Sequence, residues 1–142
     1  MNSWLKSYGT LHIGNDVVRL AVSEDFAKYY RTFVDKEVRL FTQLPAHGVH
    51  ITLWNPKIHG KLCPKKAKFL KDFYKKNKIS FEYDPYIVEG GGKAKKFRNW
   101  YMHVRSMAAE SICKYLGNDQ HEHLHLTISN TKNGVRPYIW MK

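Results

Sequence analysis

The chain has 142 residues, 43% hydrophobic and 14% aromatic, enough apolar mass for one domain with a real core and too much for a disordered chain. Twenty-four Lys plus Arg against 12 Asp plus Glu leave a formal charge of +12, which favours a polyanionic partner or a phosphate-bearing substrate. No stretch approaches the roughly 20 apolar residues that span a bilayer, and Met1-Asn2-Ser3-Trp4-Leu5-Lys6 lacks the apolar run of a signal peptide. A soluble protein of the cytoplasm, with no membrane partner, is the expectation.

Tyr8 to Ile13 and Val17 to Val22 alternate as two strands around Gly14-Asn15-Asp16, a hairpin type of turn. Ser23 then caps a helix from Phe26 to about Val34, with Glu24 and Asp25 suited to its N-terminus. Its Phe26, Tyr29, Tyr30 and Phe33 fall at helical spacing and are expected to face the core. Val38 to Phe41 reads as a short strand, and Pro45-Ala46-His47-Gly48 breaks the chain before a strand at Val49 to Leu53.

Asn55-Pro56 ends that strand, and Pro64 opens a helix to about Asn77. There Ala67, Phe69-Leu70 and Phe73-Tyr74 make an apolar stripe, while Lys65, Lys66, Lys68, Lys71, Lys75 and Lys76 face outward. Ile79 to Val88 is a strand interrupted at Asp84-Pro85. Gly90-Gly91-Gly92-Lys93-Ala94-Lys95-Lys96 is the most basic loop, a candidate lid or phosphate-facing segment that includes Lys93 and Lys95, and it lacks P-loop spacing. Asn99 to Val104 returns as a strand, Ser106 caps a helix from Met107 to Leu116, and Gly117 ends it. A strand at Leu124 to Ile128 and a last one around Tyr138-Ile139-Trp140 complete the chain, with no linker long enough to divide it. Cys63 and Cys113 are too far apart, and not in a Cys-x-x-Cys pattern, for a disulfide framework or zinc ribbon to be read; two reduced thiols are expected.

Two of these strands carry the same pattern. Val49-His50-Ile51-Thr52-Leu53 and Leu124-His125-Leu126-Thr127-Ile128 each set a His and a Thr two residues apart among aliphatics. Side chains in a strand alternate faces, so His and Thr share one face and the aliphatics take the other. Metal-free cleavage of a phosphodiester needs a base for the attacking oxygen, an acid for the leaving oxygen and donors for the non-bridging oxygens. Two histidines titrating near neutrality and two threonine hydroxyls match that list, so His50, Thr52, His125 and Thr127 are the expected catalytic set, with no cofactor.

The paired motifs resemble the two-histidine (2H) phosphoesterase superfamily, whose signature is two His-x-Thr/Ser motifs on strands of pseudo-symmetric lobes. The small basic chain and the wording Pro-Ala-His-Gly-Val-His-Ile-Thr-Leu and Asn-Trp-Tyr-Met-His-Val-Arg-Ser are most similar to phage anti-CBASS phosphodiesterases, which destroy cyclic oligonucleotide immune signals. The resemblance implies an α+β fold of two lobes of antiparallel sheet, with outer helices, around a central cleft. It implies as substrate a cyclic di- or oligonucleotide, met in the cytoplasm of an infected bacterium. Tyr8 and Trp140, in terminal segments able to line the cleft, are the expected base-stacking residues.

Three other readings compete. The same superfamily includes enzymes acting on RNA 2′,3′-cyclic phosphates or 2′,5′ linkages. A basic module could bind nucleotides or RNA without turnover. A metal site is the third, because His121, His123 and His125 alternate along one strand face, although no Asp follows at the spacing metallohydrolases use.

Overall fold

The structure, a computed structural model, describes residues 3–75, 77–90, 98–120, 123–131 and 136–137. β1 (Leu5–Gly14) and β2 (Val17–Ala21) form the first hairpin. Its turn residues Asn15 and Asp16 have φ of 52° and 62°, the left-handed pair that matches the twist of the strands. α1 (Glu24–Val38) starts at Ser23, whose hydroxyl accepts the Asp25 N–H at 3.2 Å, and ends at Arg39 in left-handed geometry. Then follow β3 (Leu40–Phe41), β4 (His50–Trp54), and a single turn of helix, α2 (Pro56–His59), capped by Asn55. α3 (Pro64–Tyr74), β5 (Lys78–Tyr83), β6 (Val88–Gly90) and β7 (Asn99–Arg105) form the middle of the chain. α4 (Met107–Leu116) runs from its Ser106 cap to Gly117, at φ 93°, and β8 (His125–Asn130) and β9 (Arg136–Pro137) follow.

The protein is α+β, built on a closed antiparallel barrel. Six strands run β5-β1-β2-β4-β8-β7, and β5 returns to pair with β7 through Glu82↔Arg105 and Tyr83↔Val104. β6 extends β7 outside the ring, and β3 pairs with β9 in a separate ribbon. Val18, Leu20, Ile51, Leu53, Met102, Leu126 and Ile128 point to one shared core and have no exposed surface. α4 buries Ala109, Ile112, Cys113 and Leu116, and packs on both β4 and β5. Those strands stand opposite each other in the ring, so the helix bridges across it.

The expectation of two lobes around a cleft meets a single ring instead. No cleft between lobes is seen among the described residues, because β5 is hydrogen-bonded on one side to β1 and on the other to β7. Two helix faces also differ from expectation. In α1, Ala27 and Val34 are buried and Phe26, Tyr30 and Val38 pack beside them, but Tyr29 and Phe33 are exposed. A helix on a barrel buries a narrow stripe, and i+4 steps from Phe26 define it here. In α3 the same holds: Leu70 is buried, with Ala67 and Tyr74 beside it, while Phe69 and Phe73 lie exposed and stacked at 5.7 Å. The proposed last strand at Tyr138-Ile139-Trp140 lies outside the described residues.

Candidate active site

β4 and β8 are antiparallel neighbours, and Ile51 pairs with Leu126. One step either way along that pair brings His50 opposite Thr127 and Thr52 opposite His125. Ile51, Leu53, Leu126 and Ile128 are wholly buried, so alternation turns the two His and two Thr onto the face away from the core. The motifs are thereby related by a local two-fold axis through the Ile51–Leu126 pair. The histidines are diagonal neighbours across the strands, a relation that sets residues roughly 7–8 Å apart, with the Cβ atoms somewhat closer.

The flanking strands widen this face. Arg19 of β2 stands opposite Thr52, and Ala21 opposite His50. On the other side, His103 of β7 stands opposite His125, and Tyr101 opposite Thr127. Two rows cross the four strands: Arg19, Thr52, His125, His103, and Ala21, His50, Thr127, Tyr101. At about 4.8 Å per strand the patch is roughly 14 Å wide, enough for a nucleotide.

Each motif histidine is held from behind in the same way. His50 Nδ1 lies 2.8 Å from the Gly48 carbonyl oxygen. A carbonyl only accepts, so Nδ1 carries the proton and Nε2 is left as the working nitrogen. His125 has a backbone hydrogen bond to His123, also two residues back. Burial lowers the pKa of His50 below its ordinary value; the Gly48 bond opposes this, and the positive charge of Arg19 adds to the lowering. Burial likewise lowers His125, opposed by the His123 bond and assisted by His103. The Tyr101 ring packs edge-on against His125 with centroids 5.4 Å apart, which fixes the plane of the imidazole.

Arg19 brings a fixed cation to this face. Its Nη1 donates to the His47 carbonyl at 3.1 Å, tying β2 to the segment that leads into His50. The strand Val17-Val18-Arg19-Leu20-Ala21 carries one charge among aliphatics, the only hint in the sequence of a role for Arg19. Tyr101 and His103 show alternation too, but nothing local ties them to the motif strands.

Of the expected base-contacting residues, Tyr8 is exposed on the same side of the sheet. It sits on β1, two strands from β4, with the Lys78 ammonium over its ring at 5.9 Å. Trp140, Lys93 and Lys95 lie outside the described residues. Arg98 and Glu89 flank the segment that contains the two lysines and join in a two-pronged ion pair, both contacts at 2.8 Å. Among the described residues no three His, Cys, Asp or Glu side chains are placed to hold a metal ion; His121 is outside them.

Beside His125 the surface falls into a hollow of about 690 Å³, walled by Trp4, Tyr101, His103, Arg105 and His123. No helix of the described residues is long and apolar enough to cross a membrane. No family model, curated protein or solved structure matches the chain.

Proposed function

We propose that the protein is a metal-independent phosphodiesterase that opens cyclic di- or oligonucleotide signals, and so serves evasion of the bacterial immunity those signals trigger. The observation that carries this reading is the register of β4 and β8, which sets His50 against Thr127 and Thr52 against His125. Two independent copies of a decorative pattern would have no reason to meet at a two-fold axis. That axis also supports the 2H-like reading of the chain as two related halves, β2 with β4 and β7 with β8, fused into one ring.

In this mechanism the phosphate lies between the two imidazoles. For a 3′,5′ linkage, Nε2 of one histidine takes the proton of the ribose 2′-OH, whose oxygen attacks phosphorus. The other histidine, protonated, gives its proton to the departing 5′-oxygen as the P–O5′ bond breaks. The products are a 2′,3′-cyclic phosphate and a 5′-hydroxyl; water then opens the ring by the same groups with roles exchanged. Thr52 and Thr127 donate to the non-bridging oxygens, and Arg19, in the row of Thr52, supplies the positive charge that favours the dianionic transition state. A lowered pKa keeps the imidazole that acts as base available, and the same shift on its partner moves the pH at which the acid still holds its proton to the acid side.

The deciding experiment is product chromatography after incubation with a panel of cyclic di- and trinucleotides and RNA with 2′,3′-cyclic ends, in EDTA. Linear products from the cyclic panel support the reading. Turnover of the RNA ends alone would reassign the substrate, and intact ligands with measurable binding would make the protein a binding module.

A further inference from the structure

We infer that the hollow beside His125 is a nucleobase site, filled by the base of the nucleotide adjoining the scissile phosphate; this rests on the phosphodiesterase reading of the neighbouring histidines. The hollow shares His125 and Tyr101 with the catalytic face, so a ligand whose phosphate lies between His50 and His125 reaches it without a gap. Its volume, about 690 Å³, falls in the range of small-molecule sites and exceeds what a phosphate alone would occupy.

The walls are the side chains that hold bases. Tyr101 offers a ring already braced against His103 at 5.5 Å and His125 at 5.4 Å. Trp4, just before β1, stacks with the Arg105 guanidinium 4.1 Å from its centroid, and Glu82 anchors that guanidinium through Arg105 Nε at 2.9 Å. An indole backed by a fixed cation is a rigid planar surface, and base stacking on such surfaces is worth about 1–3 kcal/mol per base. Asn99 lines the same hollow, and its Oδ1 is buried without a hydrogen-bond partner among the described residues. A carboxamide is the group that pairs with the donor and acceptor edge of a base. Gly90 completes the wall: a Cβ there would stand 2.6 Å from Asn99 Oδ1 and 2.9 Å from Tyr101 Cε1, so any larger residue would push both into the space.

The placement is one-sided. Across the two-fold axis the β2 positions equivalent to Tyr101 and His103 hold Arg19 and Ala21, and neither is aromatic. The substrate is therefore gripped by one base, on the β7 side, and this orients the scissile bond between two otherwise equivalent histidines. His125 then serves the oxygen nearer the held nucleoside.

The test is calorimetric titration of the intact protein with AMP, GMP, CMP and UMP against ribose 5-phosphate, which carries the sugar phosphate without a base. At least one nucleotide is expected to bind about tenfold more tightly than ribose 5-phosphate. Trp4→Ala removes that preference while affinity for ribose 5-phosphate holds, and Trp4→Phe, which keeps a ring, retains most of it. On the wild-type protein the indole N–H resonance of Trp4 shifts with the nucleotide and not with ribose 5-phosphate, a readout that needs no variant. Equal affinity for all five probes, an unmoved Trp4 resonance, or a Trp4→Ala protein that keeps the preference would each overturn the assignment. Since these are binding measurements, base preference without turnover defeats the cleavage reading alone, and turnover without base preference defeats the base site alone.

Discussion

Ile51 and Leu126 face each other across β4 and β8 with no exposed surface on either. This buried pair sets the geometry of everything polar around it, since a slip of one residue between the strands would turn one of the His-x-Thr motifs into the core.

The symmetry of the register predicts symmetric damage. His50→Ala and His125→Ala are each expected to cut kcat/KM on a cyclic oligonucleotide by about 10²–10⁴, the usual worth of a general acid or base. Thr52→Val and Thr127→Val, each losing one donor to the phosphoryl oxygens, should cost about 10²–10³. The double histidine variant should be little worse than either single one, because acid and base act as a unit. Normal turnover by either single histidine variant would remove the mechanism.

Packing at the axis makes a separate prediction. Leu126→Ala leaves a hole between the strands and should destabilise the fold by about 2–5 kcal/mol, read as a lower midpoint in a denaturant titration. A loss below about 1 kcal/mol would mean that the strand pair is not anchored there.

Both histidines lie below their ordinary pKa of 6.5, chiefly through burial. The pH optimum of kcat/KM, which reports the free enzyme, should therefore fall on the acid side of 6.5. Stability carries the same shift with a definite sign. With the folded values lowered, the unfolded chain binds more protons as the pH drops below 6.5, so stability is full above that pH and declines beneath it. Thermal melts across pH 4.5 to 7.5 would show the slope, and replacing both histidines by Asn should flatten it.

Arg19 pushes His50 down by its charge, second to burial among the lowering causes. Arg19→Gln should raise the His50 pKa, which a proton NMR titration of the imidazole resolves. Activity should fall about 10- to 100-fold at the same time, the worth of a charged hydrogen bond to phosphate. An unmoved pKa would place Arg19 outside the electrostatics of the site.

The two thiols should behave unequally. Cys63 is exposed before α3, and backbone N–H groups of that helix hold its pKa below the ordinary value. Cys113 is buried in α4, where burial pushes its thiol up to about 11. A thiol reagent should modify one cysteine in the native protein and both after denaturation. Rapid labelling of two in the native state would contradict the packing of α4 on β4.

Local order was readable along the chain wherever the physics is local. Alternation announced β4 and β8, Ser23 and Ser106 announced the starts of α1 and α4, and Gly14-Asn15-Asp16 announced the first hairpin. The pairing of chemistry within each motif was equally legible, because a period of two places His50 with Thr52 and His125 with Thr127 on one face. What tertiary structure decided was adjacency. That β4 lies beside β8 in a register matching Ile51 to Leu126, that β5 closes the ring on β7, and that Arg19, Tyr101 and His103 join the histidines all depend on contacts between residues distant in sequence. The aromatic faces of α1 and α3 show the same limit, since helical spacing defines a stripe but the curvature of the surface beneath decides how wide a stripe is covered. A single strand determines which way its side chains point; only its neighbours determine what they point beside.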